Sequence, residues 1–250
     1  MPNHVKRRAP AAPGSIPAVL KMFESEVRFY REIAPVVGVR VPECYQAESD
    51  ADGTLLVLED LSAWTPGAEP AAGARALRVL HDRWRGRADH EWAWLRRVGA
   101  GDELVAELYD RTWPALARRS DLSAPVRAYG ERLVGSVLQA EADVARAGEL
   151  TLVHGDASAQ NMRTGPDGQV ALLDWEDVSA APGVLDLAWF LVSSVEPSRW
   201  PEALTAYGEI DGLDVVLPSV MVQGYLSMSD LPDGEGAEWN ARLEAAAVRL

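Results

Sequence analysis

Cysteine and lysine are nearly absent from the 250-residue chain: it has one cysteine, Cys44, and two lysines, Lys6 and Lys21. A single cysteine excludes an internal disulfide framework and a cysteine zinc site. The four histidines, His4, His81, His90 and His154, show no zinc spacing, and no H-E-x-x-H occurs. No apolar run approaches the length of a membrane span, and no apolar segment of signal-peptide type follows the basic start at Lys6-Arg7-Arg8. The expected setting is therefore the cytoplasm. Positive charge is also scarce, with 24 Lys and Arg against 38 Asp and Glu, a formal net charge of −14. This argues against nucleic acid and anionic membranes as partners. It is compatible with a cationic small molecule, although acidity also serves solubility alone. Neither lysine follows a glycine, which excludes a Walker P-loop, and the dinucleotide G-x-G-x-x-G and the hydrolase G-x-S-x-G are missing.

Hydrophobic residues make up 48% of the chain, enough to bury the core of one large domain or two small ones. Pro, Ala and Gly mark residues 9–17 as a loop. Leu20, Phe23, Val27, Tyr30 and Ala34 then recur at helical spacing, with Ser15 as a cap and Pro35 as a limit. Strands are expected around Cys44 to Ala47 and Thr54 to Leu58, joined by the turn Asp50-Ala51-Asp52-Gly53. The stretch from Ser62 to Gly73 reads as a linker, which puts the domain boundary between residues 61 and 62. Beyond it the pattern is mostly helical. Leu77, Leu80, His81 and Trp84 share a face, a helix is expected near Glu103 to Ala117, and a long one from about Pro125 to Ala147. Two short strands, Leu150 to Val153 and Val170 to Leu173, suggest a small hairpin with polar loops. Helices from Asp186, Glu202, Val215 and Glu238 onward complete the chain. The order implies an α+β protein: a small lobe, residues 1–61, and a larger helical lobe, residues 62–250.

The chemistry is concentrated in His154-Gly155-Asp156-Ala157-Ser158-Ala159-Gln160-Asn161, directly after an apolar strand, and in Leu172-Leu173-Asp174-Trp175, where a second aspartate closes an apolar strand. A lone Asp or Asn in a loop is ordinarily a turn former. Two such groups at fixed spacing, each at a strand end, suit phosphoryl transfer instead. That reaction needs one carboxylate to orient the attacking hydroxyl and take its proton, and oxygen ligands for Mg²⁺ on the phosphates. Asp156 suits the first role; Asn161 and Asp174 suit the second. Glu176 and Asp177, which follow, are open to contact with metal or substrate, and read first as exposed charge.

His154-Gly-Asp156-x-x-x-x-Asn161 and Leu173-Asp174-Trp175 resemble the catalytic and metal motifs of the aminoglycoside phosphotransferase and choline kinase-like family, which is distantly similar to protein kinases. Glu26-Val27-Arg28-Phe29-Tyr30-Arg31-Glu32-Ile33 resembles the family's helix bearing a glutamate paired to the ATP-binding lysine. Val57-Leu58-Glu59-Asp60-Leu61 resembles the hinge whose backbone meets adenine. Leu80-His81 followed by Trp84 resembles the first helix of the large lobe, and Gly183-Val184-Leu185-Asp186-Leu187-Ala188 the segment whose aspartate braces the catalytic loop. The likeness runs from about residue 5 to 195.

The resemblance implies a bilobal, protein kinase-like fold. It implies ATP and Mg²⁺ as cofactors and transfer of the γ-phosphate to a hydroxyl of an aminoglycoside- or choline-like acceptor. Asp156 would be the base, Asn161 and Asp174 the metal ligands, and Lys6, Glu26, Glu59 and Leu61 the nucleotide side. His154 and Asp186 would support the loop. Lys6 fits the lysine by order; Lys21 lies five residues before Glu26 on the same helix and points elsewhere. The sequence departs from the family at two places. Only five residues precede Lys6, where relatives carry two strands and a phosphate-covering loop, so the small lobe is expected to be reduced. Ser158 stands where many relatives have a basic side chain. Two readings stay open: an active phosphotransferase, and an impaired pseudokinase serving as a nucleotide- or partner-binding module. The oligomeric state is unmarked, and the acceptor should be set by the region from Trp92 to Arg119 and the C-terminal helices.

Overall fold

The chain reverses at its clearest turn signal: Asp50 pairs with Gly53, and the Asp50 carboxylate accepts the Asp52 N–H at 2.8 Å. The structure, a computed structural model, describes residues 3–98 and 103–250. The N-terminal part comprises β1 (Asn3–Arg8), α1 (Ile16–Val19), α2 (Met22–Arg28), β2 (Cys44–Asp50) and β3 (Gly53–Glu59). The three strands form one antiparallel sheet in the order β1-β3-β2. Leu56 and Leu58 alternate along β3 and are buried. Lys6 lies opposite Leu56 in register, so its side chain shares that inward face, on which α2 packs.

The helix expected from Leu20 to Ala34 is interrupted. Lys21 has φ 53°, a left-handed conformation that ends α1 and restarts the chain as α2. Ser15 makes no side-chain cap bond; its hydroxyl donates to the Ala12 carbonyl at 2.6 Å. After α2 the hydrogen-bond spacing widens to a π turn over Phe29–Ile33 and then tightens to a 3-10 turn over Ala34–Val36. The widened turn brings Phe29, which helical spacing leaves off the apolar face, into the core. There its ring stacks on Trp175, centroids 4.0 Å apart.

The remainder runs through β4 (Thr65–Pro66), α3 (Pro70–Trp84), α4 (Ala88–Glu91), β5 (Arg96–Arg97), α5 (Glu103–Leu116), α6 (Ala124–Leu133), α7 (Val137–Val144), β6 (Leu150–Val153), β7 (Met162–Thr164), β8 (Val170–Leu172), β9 (Ser179–Pro182), α8 (Val184–Ser194), α9 (Trp200–Tyr207), α10 (Leu213–Ser229) and α11 (Ala237–Ala247). Three expectations are corrected here. The supposed linker already contains β4 and the first turn of α3, where Gly73 lets the helix press against Phe190 and Met162. The single long helix is two, α6 and α7, broken where Gly135 takes φ 69°. The strands at 150–153 and 170–172 are not partners: β6 pairs with β9, and β8 with β7. The catalytic-loop candidate therefore bridges two small sheets.

Helix α8 is buried along Val184–Val192 and packs against α3, α10 and α11. Full burial of an aliphatic or aromatic side chain is worth about 1.5–3 kcal/mol, so Leu187, Phe190 and Leu191 make α8 a fixed platform behind the loop. The two parts of the chain are stitched together by the Leu172 N–H to the Arg40 carbonyl (2.9 Å) and by the Trp84 indole N–H to the Val37 carbonyl (3.0 Å). No helix of the described residues is long and apolar enough to cross a membrane.

Candidate active site

The loop after β6 is held by one buried carboxylate. Asp186, in the first turn of α8, accepts the His154 N–H at 2.6 Å and the Gly155 N–H at 2.9 Å. It also accepts the His81 Nε2–H at 3.1 Å, while His81 Nδ1 meets the Tyr207 hydroxyl at 2.8 Å. Burial pushes the Asp186 carboxyl up, but the His81 bond and the nearby histidine and backbone donors outweigh it and hold the group below its ordinary value. Asp186 is thus an ionised brace. His154 is fully buried; its Nε2–H donates to the Leu173 carbonyl at 2.7 Å, and its Nδ1 accepts the Asp156 N–H at 3.2 Å. One ring fixes the spacing between the 154–161 loop and the segment carrying Asp174. Gly155 has φ 86°, and a Cβ there would lie 2.2 Å from the Asp177 carbonyl oxygen, so the loop can pass this close only with glycine.

Asp156 is fixed from two sides. Its Oδ1 accepts the Trp189 indole N–H at 2.6 Å, and its Oδ2 accepts the Asn161 Nδ2–H at 2.8 Å. Asn161 also donates to the Asp156 carbonyl at 2.9 Å, which leaves its side-chain oxygen as the atom it offers to surrounding space. The Leu173 N–H bonds the Asn161 carbonyl at 2.8 Å, bringing Asp174 alongside. Asp174 has φ 60°, sparsely populated for a non-glycine residue and frequent at functional sites.

Lys6 reaches from β1 into this group. Its ammonium lies 2.7 Å from Glu26 and 2.6 Å from Asp174, with Glu176 at 3.8 Å. Glu26 is 2% exposed. Burial pushes its carboxyl up to about 7, against the pull of Lys6 and with the push of Asp174. Glu176, read from sequence as exposed charge, is half-buried and ion-paired to Arg8, whose guanidinium stacks over Phe23 at 4.3 Å. Carboxylate oxygens of Glu26, Asp174 and Glu176 all lie within 4.8 Å of one another.

Two cavities flank this group. One, of about 430 Å³, is lined by Lys6, Glu26, Glu59, Leu61, Asn161 and Asp174 among others. The Glu59 side chain does not point freely into it: its carboxylate is engaged by Arg40 and by the Glu43 N–H (3.1 Å), so Glu59 contributes mainly as a wall of the 59–61 edge. The second cavity, of about 530 Å³, is lined by Asp156, Asp177 and Trp189 with residues of α1, α5 and α10. Asn161 and Asp174 line the first cavity and Asp156 the second, and the Asn161–Asp156 hydrogen bonds tie the three together. Both volumes fall in the range that holds small ligands.

A family model described as "Phosphotransferase enzyme family" matches residues 12–222. The chain belongs to that family. No curated protein matches the sequence. Among solved structures, a choline kinase from Streptococcus pneumoniae superposes with a TM-score of 0.58 at 17% identity, covering 99% of this chain and 84% of that one. An aminoglycoside phosphotransferase from Streptomyces rimosus, in complex with ADP and streptomycin, gives 0.57 at 17% identity, covering 88% and 85%. A spectinomycin phosphotransferase in an AMP-bound complex gives 0.58 at 14% identity, covering 98% and 86%. The shared fold is α+β and protein kinase-like, with a small β-lobe and a large helical lobe, as the motifs implied.

In this phosphotransferase, three partners escaped the sequence reading. Trp189 lies one turn after Asp186 on α8 and so shares its face. One residue holds the loop backbone and the other its carboxylate; that i, i+3 spacing was the available signal. Tyr207 and Arg8 carried none, since their partners are 126 and 168 residues away.

Proposed function

We propose that this phosphotransferase uses Mg²⁺ and ATP and transfers the γ-phosphate to a hydroxyl of a small, amine-bearing molecule of the aminoglycoside- or choline-like class. The observation that carries the reading is the Asn161–Asp156 hydrogen bond, which joins a cavity built like a nucleotide site to one that holds a fixed carboxylate. The adenine end is assigned to the 59–61 edge, and the phosphates to Lys6, oriented by Glu26. Residues 1–61 supply the nucleotide side and residues 62–250 the catalytic loop and the acceptor cavity. The cytoplasm, where ATP is plentiful, suits this activity.

The donor set fits a hard divalent cation. Asn161 offers an amide oxygen, Asp174 a carboxylate, and Glu176 a second carboxylate within reach, with no soft ligand among them. Bound there, Mg²⁺ would draw charge from the phosphate oxygens. Lys6 places a positive charge at the same oxygens. Asp156, held by Trp189 and Asn161, orients the acceptor hydroxyl and takes its proton. The hydroxyl oxygen then bonds to the γ-phosphorus, the bond to the β,γ-bridging oxygen breaks, and ADP leaves with that electron pair. Asp186, His154 and His81 keep the loop in place throughout.

The test is acceptor-dependent formation of ADP with Mg²⁺ and ATP across amino-alcohols and amino-sugars. Stoichiometric appearance of a phosphorylated acceptor supports the reading. Nucleotide binding without transfer to any acceptor would favour a binding module.

A further inference from the structure

Tyr30 is 3% exposed, and its hydroxyl makes no hydrogen bond among the described residues. A buried phenol left unpaired costs free energy that phenylalanine would avoid at nearly the same size. Tyr30 also lines the cavity of about 430 Å³, with Lys6, Leu58 and Leu61. The π turn over Phe29–Ile33 buries Phe29 and Tyr30 in succession. Their rings meet edge to face, centroids 5.2 Å apart at 83°, and Phe29 is held in turn by Trp175. The phenol is therefore clamped in place. Its level in the cavity follows from the sheet. Glu26, one turn earlier, pairs with Lys6, which lies opposite Leu56. Cys44 lies opposite Leu58, one residue before the 59–61 edge, and its thiol is close enough to act on the phenol. Tyr30 thus stands beyond the Lys6–Glu26 pair, toward the end assigned to the base. Burial first, then the Glu26 charge, pushes the hydroxyl well above its ordinary range, so it is a neutral O–H that can both donate and accept.

We propose that the Tyr30 hydroxyl is the inner hydrogen-bond partner of the nucleotide's purine, meeting the ring edge that carries N7 and the 6-amino group. The backbone of the 59–61 edge takes one side of the base, and Tyr30 takes the side turned toward α2. The unpaired hydroxyl is then a binding group kept ready, which lowers the stability of the empty protein and raises its affinity for a purine nucleotide. This rests on the phosphotransferase reading for the presence of a nucleotide in this cavity. It adds a residue that reads the base, where that reading assigns only Lys6, Glu26 and the 59–61 edge.

The experiment is calorimetry on the intact protein, wild type against Tyr30→Phe, with the Mg²⁺ complexes of four probes: ATP, 7-deaza-ATP, purine riboside triphosphate and inorganic tripolyphosphate. Thermal melts without nucleotide run beside it. Tyr30→Phe should weaken ATP by about threefold to tenfold, the worth of one hydrogen bond. It should leave tripolyphosphate unchanged and melt no lower than wild type. One of the two base analogues should bind wild type more weakly than ATP by a similar factor, and lose nothing further in the variant. Unchanged ATP affinity in Tyr30→Phe overturns the proposal. Equal losses for ATP and tripolyphosphate overturn it too, since the hydroxyl would then serve the phosphate end. A lower melt would show that the hydroxyl is paired within the protein and would also overturn it. Should the variant not fold, the wild-type series decides: equal affinity for ATP and both base analogues overturns the proposal. Any of these results with phosphate transfer intact leaves the phosphotransferase reading standing. A wild type that binds none of the triphosphates overturns both.

Discussion

Asn161 gives its Nδ2–H to Asp156 Oδ2 at 2.8 Å, tying a residue that lines the cavity of Lys6 and Asp174 to one that lines the cavity of Trp189 and Asp177. A phosphoryl group passing between two ligands must cross where their sites touch. The geometry places a metal-ligand type of side chain and a proton-accepting type of side chain back to back at that point.

Asp174→Ala should weaken Mg²⁺–ATP by at least about tenfold, since on the proposed assignment the cation would lose an anionic oxygen ligand. It should also free Lys6 from a partner 2.6 Å away. Calorimetric titration with and without Mg²⁺ measures this. Unchanged Mg²⁺-dependent affinity would remove Asp174 from the metal site.

Glu26 makes stability depend on pH. Its carboxyl is pushed up to about 7 in the folded protein by burial, against Lys6, from an ordinary value of 4.5. Folding therefore favours the protonated form. That contribution is fully present below about pH 4.5 and is lost as pH rises through about 7. Its ceiling is on the order of 3 kcal/mol. The melting temperature of wild type minus that of Glu26→Gln should fall between pH 5 and pH 8. A difference that is flat across this range would mean that Glu26 does not titrate there.

Gly155→Ala should cost about 2 kcal/mol or more, because it adds a Cβ 2.2 Å from the Asp177 carbonyl oxygen at a residue with φ 86°. The loop must move to accommodate it, so kcat should fall more than nucleotide affinity. Denaturant melts and nucleotide titration on the same preparation separate the two effects. Wild-type stability and turnover would show that the close approach is not needed.

Much of this arrangement was legible in the sequence because it is local. The five-residue interval from Asp156 to Asn161, and the apolar strands before Asp156 and Asp174, set the loop geometry within a short stretch of chain. The Asp50–Gly53 turn and the paired strands around it were readable for the same reason. What escaped depends on long-range contact. Glu176 looked like solvent-exposed charge because Arg8 and Lys6 arrive from the other end of the chain. The π turn at Phe29 follows from stacking on Trp175, which helical periodicity does not register. The break at Gly135 was passed over because apolar spacing continues on either side of it. Which way the Asp156 carboxylate faces is set by Trp189, on a helix the loop meets only in the fold.

The central claim is that Asp156 activates the acceptor without holding the nucleotide, and one comparison tests it: wild type against Asp156→Asn, with Mg²⁺–ATP affinity by calorimetry and phosphate transfer by mass spectrometry of the acceptor. The amide keeps the carboxylate's shape but cannot take the hydroxyl proton in the same way, so transfer should fall by about 10²–10⁴-fold while the nucleotide Kd stays within about twofold. A variant that transfers phosphate at the wild-type rate, or a wild type that binds no nucleotide, would contradict the account.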